Sequence, residues 1–139
     1  PTPKENKETI NTRIKHREEW RPFAGIMLDE YQDEYFIDTY PNEYMLYSLV
    51  VKPHQRKKLG AITHKDFSCR IQTVNKKLHP EVTTLLQKYN EKTECPVLLN
   101  TSFNDNGQPI VETPKDAVKT FKNIDLDYLV IGNYLVVKQ

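Results

Sequence analysis

Three cations fall within seven residues, at Lys15, Arg17 and Arg21, with His16 between the first two. Like charges this close repel one another unless an anion sits among them. The arginines bring forked donors that match phosphate oxygens, and Lys15 adds a point charge. The chemistry on offer is therefore the holding of a phosphate-bearing substrate. Spacing alone favours a solvated helix face, with Glu18 and Glu19 neutralising the arginines.

A second constellation runs from Thr63-His64-Lys65-Asp66 into Ser68-Cys69-Arg70-Ile71-Gln72. If 70–74 is extended, Arg70 and Gln72 point to one side, and that face offers a phosphate fork and an amide. His64 is of the residue type suited to acid or base work; an exposed polar strand with a lone histidine is the plain alternative. The third constellation, Asn100-Thr101-Ser102-Phe103-Asn104, follows the apolar run Pro96–Leu99. The end of a buried strand is where α/β proteins tend to bind ligands, though the same residue types also build ordinary turns. No Walker loop, GxGxxG, GxSxG or HExxH motif is present, and the chain has four glycines in all.

These residues need elements to position them. Residues 1–7 read as a linker or frayed terminus, and 8–139 as one domain. Ile10 and Ile14 stand a helical turn apart, so a helix is expected over the first part of the charged segment Glu8–Trp20, which Arg21-Pro22 then breaks. Ala24–Leu28 and Tyr44–Val51 read as strands, with a short helical turn over Asp29–Tyr35 and a charged loop over His54–Lys58. Ile62–Thr63 and Arg70–Val74 read as short extended pieces. His79–Lys92 is the clearest helix, with Pro80 in its first turn and Val82, Leu85, Leu86 and Tyr89 on one face. Pro96–Leu99 reads as a buried strand. Thr113 is expected to cap a helix that starts at Pro114 and turns Ala117, Val118 and Phe121 inward. Tyr128–Ile131 and Tyr134–Val137 read as a hairpin about Gly132-Asn133. This order implies a mixed α/β fold, a twisted open sheet with packed helices.

The 139 residues suit one domain, and a formal charge of +1 gives no argument for nucleic acid or membrane. Cys69 and Cys95 lack CxxC partners and read as free thiols of a reducing compartment, and no protein-held metal is expected. There is no signal peptide and no span long enough for a bilayer, so a cytoplasmic location is expected. The opening Pro1 fits an excised domain or a processed chain.

Together the motifs resemble one family. Ile14-Lys-His-Arg-Glu-Glu-Trp-Arg-Pro-Phe-Ala24 is similar to the opening motif of the C-terminal domain of O-carbamoyltransferases, the nodulation and antibiotic-tailoring kind. Thr63–Val74 and Pro96–Val111 resemble its second and third motifs, and Thr113–Ala117 with Leu126–Gly132 resembles its close. That domain is similar in fold to threonylcarbamoyl-AMP synthases, whose KxR and SxN patterns are matched here by Lys15-His16-Arg17 and Ser102-Phe103-Asn104. There are departures. Phe67-Ser68-Cys69 stands where a Gly-Thr-Ala-like run is usual, and Gly25 where a proline is usual.

The resemblance implies that the domain forms carbamoyl-adenylate from ATP and carbamoyl phosphate, with Mg²⁺ accompanying the nucleotide. Transfer to a hydroxyl acceptor falls to an N-terminal actin-like ATPase-fold domain absent from these residues. Lys15, Arg21 and Arg70 take the catalytic roles. Arg17, His64, Gln72, Asn100, Thr101, Ser102 and Asn104 bind substrate or nucleotide, with His64 supporting at most. Little proton chemistry is needed, because catalysis is mainly positioning and charge stabilisation. The rival reading is a non-catalytic structural or RNA-binding module of the same fold. Phe67 favours the former, and the lack of a basic stripe counts against the latter.

Overall fold

A computed structural model describes residues 4–138 and divides the chain into two compact units. One comprises Pro1–Lys7 with Pro22–Thr101, the other Glu8–Arg21 with Ser102–Gln139.

The first unit is built on a five-stranded mixed sheet. Its strands are β1 (Ala24–Leu28), β2 (Phe36–Ile37), β3 (Ser48–Val51), β4 (Ser68–Val74) and β5 (Val97–Asn100), in the order β2-β3-β4-β1-β5. β1 and β4 are parallel, and every other neighbouring pair is antiparallel. Alternation sends Gly25, Met27, Cys69, Ile71, Thr73 and Val97 to one buried face. The close packing there fits Gly25: a Cβ at this position would lie 2.6 Å from Ile71 Cδ1 and 2.7 Å from Ile62 Cδ1. On the opposite face, α3 (Pro80–Thr93) covers one end. Leu86, with Val82, meets Leu28 and Val74 there, and Ile26, Tyr31 and Leu98 close the cluster. Leu85, expected on this apolar face, is instead 58% exposed. At 100° per residue it falls beside the stripe set by Val82, Leu86 and Tyr89.

Two strand expectations are corrected. The ladder of β3 begins at Ser48, not Tyr44. The buried Asn42 carboxamide donates to the Tyr47 carbonyl at 2.9 Å and accepts from its N–H at 3.3 Å. That loop, with Met45 left-handed, uses up the backbone groups a longer strand would need. Ile62–Thr63 is a turn. The Leu59 carbonyl accepts the N–H groups of both at 3.0 Å, which swings Ile62 into the core. The acidic stretch 29–35 forms a 3-10 turn (Asp29–Tyr31) and α2 (Gln32–Tyr35), as expected.

In the second unit α4 (Pro114–Asn123) packs Ala117 and Phe121 against Leu129 of the hairpin β6 (Tyr128–Ile131) and β7 (Tyr134–Val137). Thr113 and Asp116 form a reciprocal capping box. The Thr113 hydroxyl accepts from the Asp116 N–H at 3.2 Å, and the Asp116 carboxylate accepts from the Thr113 N–H at 3.2 Å. Gly132 makes the hairpin turn at φ +55°.

The helix expected from Glu8 is displaced towards the N-terminus. α1 spans Glu5–Thr9, starting inside the stretch read as a linker, and a π-helical turn follows at Ile10–Ile14. Residues 1–3 of that stretch lie outside the described residues.

Candidate functional site

The π turn sets the first cluster. The Lys15 N–H reaches back five residues to the Ile10 carbonyl at 2.8 Å, and the Arg17 N–H reaches the Asn11 carbonyl at 2.9 Å. Asn11 is fully buried. Its carboxamide oxygen accepts Arg17 Nε at 2.7 Å, and its amide nitrogen donates to the carbonyls of Glu19 and Arg21, both at 3.1 Å. One side chain thus pins the whole loop that carries the cations. Its sequence signal was a lone amide between Ile10 and Ile14, which resembles an ordinary exposed helix residue.

Lys15 is 5% exposed. Its ammonium donates to Asn104 O at 2.6 Å, Asn104 Oδ1 at 2.7 Å and Ser102 O at 2.9 Å. An ammonium has three protons, and three oxygens meet them here. Its charge can act on a nearby anion, but a direct bond to a phosphate requires one of these oxygens to leave. Burial pushes the Lys15 pKa below its ordinary value and repulsion from Arg17 adds to this, while Asp105 opposes both. Arg17 is affected likewise, by burial first and then by Arg21, against Glu18.

Ser102 Oγ donates to Asn104 Oδ1 at 2.6 Å, and Asn104 Nδ2 donates to the Gln108 carbonyl at 2.7 Å. His16, left-handed at φ +45°, donates from Nδ1 to Asp105 at 2.8 Å. That bond, with one from the Asn106 N–H, holds the Asp105 carboxyl below the usual range. The second unit therefore brings Lys15, Ser102 and Asn104 into one bonded group. Arg21 takes the plain course that spacing left open: its Nε pairs with Glu18 at 3.0 Å, both side chains being substantially exposed. Such a pair is weak, so Glu18 is a readily displaced partner.

The second cluster lies on the first unit's sheet, at the end of the face that α3 leaves. In register, Ala24 stands beside Asn100 and Ile26 beside Gln72, and Arg70 shares the face of Gln72 by alternation. Ala24 is small enough to be bridged. Asn100 Nδ2 donates to Gln72 Oε1 at 2.9 Å, and Gln72 Nε2 donates to the Glu43 carbonyl at 3.1 Å. Among the described residues the exposed Arg70 guanidinium and the Asn100 carboxamide oxygen have no hydrogen-bond partner. Thr101 is exposed at the end of this unit.

His64 belongs to a local turn. Ser68 Oγ donates to Asp66 at 2.7 Å and lies 3.2 Å from His64 Nδ1, while His64 Nε2 is buried with no partner. With the hydroxyl proton given to Asp66, His64 must donate from Nδ1, and Nε2 is then a bare acceptor. Phe67, at φ +65°, stacks its ring under the Arg56 guanidinium at 3.6 Å. Both cysteines are free and buried, and burial pushes the Cys69 thiol up to about 12, which leaves it inert as a nucleophile.

A family model described as "Carbamoyltransferase C-terminus" matches residues 1–138. The chain is 42% identical to nodulation protein NolO of Bradyrhizobium diazoefficiens, the match taking in all of this chain and 26% of that protein. It is 40% identical to an uncharacterized protein of a Synechocystis strain, over 93% of this chain and 24% of the other. Nodulation protein U of Rhizobium tropici is 36% identical over 73% of this chain and 18% of its own length. The chain thus spans about a quarter of the length of the first two.

Proposed function

Because this chain belongs to the carbamoyltransferase C-terminus family, we propose that it forms carbamoyl-adenylate from ATP and carbamoyl phosphate. The observation that carries the reading is the face around Ala24. It offers the Arg70 fork and the Asn100 carboxamide oxygen, neither engaged by the protein among the described residues. Carbamoyl phosphate presents the complement, a dianionic head for a guanidinium and an NH₂ group for an amide oxygen. Gln72 fixes the Asn100 rotamer so that its oxygen is the outward group.

Lys15, Arg17 and Arg21 are proposed to stabilise phosphate charge in the second unit. Lys15 acts chiefly through its field, because its protons hold Ser102 and Asn104 in place. Desolvation strengthens that field, since a buried charge is screened less than an exposed one. Thr101 and His64 are proposed as substrate contacts. His64 Nε2 is suited to accept a donor but not to supply a proton in the tautomer its turn imposes.

The donor set around Lys15 consists of cations, carbonyls and amides, and its carboxylate, Asp105, is already bonded to His16. These groups suit phosphates, not a bare divalent ion. Mg²⁺ would therefore arrive with the nucleotide and offset its phosphate charge. Balanced with one water, the reaction yields carbamoyl-adenylate, pyrophosphate and inorganic phosphate. Transfer to a hydroxyl is assigned to a further N-terminal domain, and the reaction to the cytoplasm. Among the described residues no helix is long and apolar enough to cross a membrane.

Calorimetric titration with carbamoyl phosphate and ATP, separately and together with Mg²⁺, tests the reading. Saturable binding of each is expected, with no carbamoylation of an added alcohol by this chain alone. A folded chain that binds neither ligand would mark it as a structural module.

A further inference from the structure

The stretch Pro53–Gly60, PHQRKKLG, has no role in the proposed reaction. It starts as a 3-10 turn (Pro53–Gln55) and coils on, the Leu59 N–H reaching the Gln55 carbonyl at 3.0 Å. Gln55 and Leu59 point inward and are buried, so the side chains between and before them must point out. His54, Arg56, Lys57 and Lys58 join Lys4, Glu5 and Gly60 around a cleft of about 730 Å³. That is within the size range of small-molecule sites, roughly 300–1,000 Å³. Four of the lining side chains are permanent cations and one is a carboxylate, in a chain whose formal net charge is +1. Concentrating cations in one cleft is unfavourable unless an anion offsets them.

A second observation concerns Arg56, whose rotamer is fixed. Its Nε donates to the Val51 carbonyl at 3.3 Å, and its guanidinium carbon lies 3.6 Å from the Phe67 ring centroid. Phe67 reaches that position in a left-handed conformation, φ +65°, which a bulky side chain adopts only under constraint. Lys58 is committed elsewhere, to the Tyr35 hydroxyl at 3.0 Å and to the Glu94 carbonyl. Lys57 and His54 have no side-chain hydrogen bond or ion pair among the described residues.

We propose that this cleft is a second anion site, which takes a phosphorylated small molecule on the Phe67-stacked Arg56 fork and on Lys4 and Lys57. A stacked guanidinium is pre-organised for two phosphate oxygens. The cleft is compact, whereas a polynucleotide needs an extended basic stripe. None of the residues assigned to the reaction lines it. The site also gives Phe67 a purpose: its ring serves Arg56, in place of the smaller residue usual in this motif.

The test follows the backbone amides of the ¹⁵N-labelled chain by NMR during titration with sodium triphosphate. Saturable shifts centred on residues 54–60 are expected. They should weaken at least tenfold in Lys57→Glu and severalfold in Phe67→Gly, and persist in Arg70→Ala. Phe67→Gly keeps the backbone conformation and removes only the ring, so a purely structural Phe67 would leave the affinity unchanged. The proposal is overturned if residues 54–60 do not shift, or if Lys57→Glu binds like the parent. It is also overturned if a hexaglutamate peptide binds the cleft more tightly than triphosphate, which would make the cleft a surface for acidic proteins.

Discussion

The Lys15 ammonium grips Asn104 twice, at its backbone carbonyl (2.6 Å) and at its carboxamide oxygen (2.7 Å). Two residues 89 positions apart in sequence are thereby held as one group. Lys15→Met should do two kinds of damage. It removes the cation, and it deprives the Ser102 and Asn104 carbonyls of their ammonium donor, while Asn104 Oδ1 keeps the Ser102 hydroxyl. Hydrogen bonds to a charged group contribute about 1.5–3 kcal/mol, so the variant should unfold earlier in denaturant as well as lose activity. Lys15→Arg should recover activity better than stability, because it keeps the positive charge while the planar fork cannot reproduce three convergent contacts.

Arg70→Ala should separate function from folding. The side chain is exposed and has no hydrogen bond or ion pair among the described residues. Its loss should leave the thermal transition within about 0.5 kcal/mol of the parent, as for ordinary surface positions. The affinity for carbamoyl phosphate should fall by roughly 1.5–3 kcal/mol, the worth of a charge-assisted contact, which is about tenfold to a hundredfold. Calorimetry and a melt on the same sample check both halves.

Asn11→Ala should behave in the opposite way. Asn11 contacts no proposed substrate, yet it bonds Arg17 and the carbonyls of Glu19 and Arg21 from full burial. Roughly 1–3 kcal/mol of stability should be lost for the unsatisfied groups. Catalysis should fall as the loop bearing Lys15 and Arg17 loosens. Denaturant midpoints and the dispersion of the residue 15–21 amides would show it.

Asn11 also marks the limit of what the sequence discloses. Period and punctuation exposed the regular elements: Pro80 and Pro114 announced α3 and α4, Gly132-Asn133 the hairpin, and apolar runs β1 and β5. The KxR and SxN patterns pointed to Lys15 and Asn104, and alternation put Arg70 with Gln72. What stayed hidden had no periodic signature. A π turn has almost the same apolar spacing as an α-helix, so residues 10–14 read as one. The two-residue β2 is shorter than any pattern. Asn42 and Asn11 are polar residues buried for their hydrogen bonds, and a polar letter reads as surface. The Gln72–Asn100 bridge depends on β1 lying between β4 and β5, a non-local fact.

Gly25→Ala should destabilise the first unit. The added Cβ would meet two buried isoleucine methyl groups at 2.6 and 2.7 Å. Overpacking of this kind costs about 1–3 kcal/mol. Both obstructing atoms are side-chain ends, so Ile62→Val in the same chain should recover part of the loss, measurable by denaturant titration.

The capping box of α4 gives a pH signature. Hydrogen bonds from Thr113, the side-chain one first, hold the Asp116 carboxyl below its ordinary value. A lowered carboxyl pKa means the unfolded chain binds a proton first on acidification. The stabilisation is therefore fully present above the unfolded carboxylate pKa, near 3.9. It disappears as pH falls through the folded value. Thr113→Val should lower stability at pH 7, by about 1 kcal/mol for a lost N-cap, and flatten the acid limb of the stability profile below pH 4.

Adenylate formation from carbamoyl phosphate and ATP must release pyrophosphate, and that release can be measured. With ATP, Mg²⁺ and carbamoyl phosphate all present, the chain should release pyrophosphate. Omitting carbamoyl phosphate or substituting Arg70→Ala should suppress it. Pyrophosphate release that ignores carbamoyl phosphate, or none from a folded chain that binds both substrates, would contradict the account.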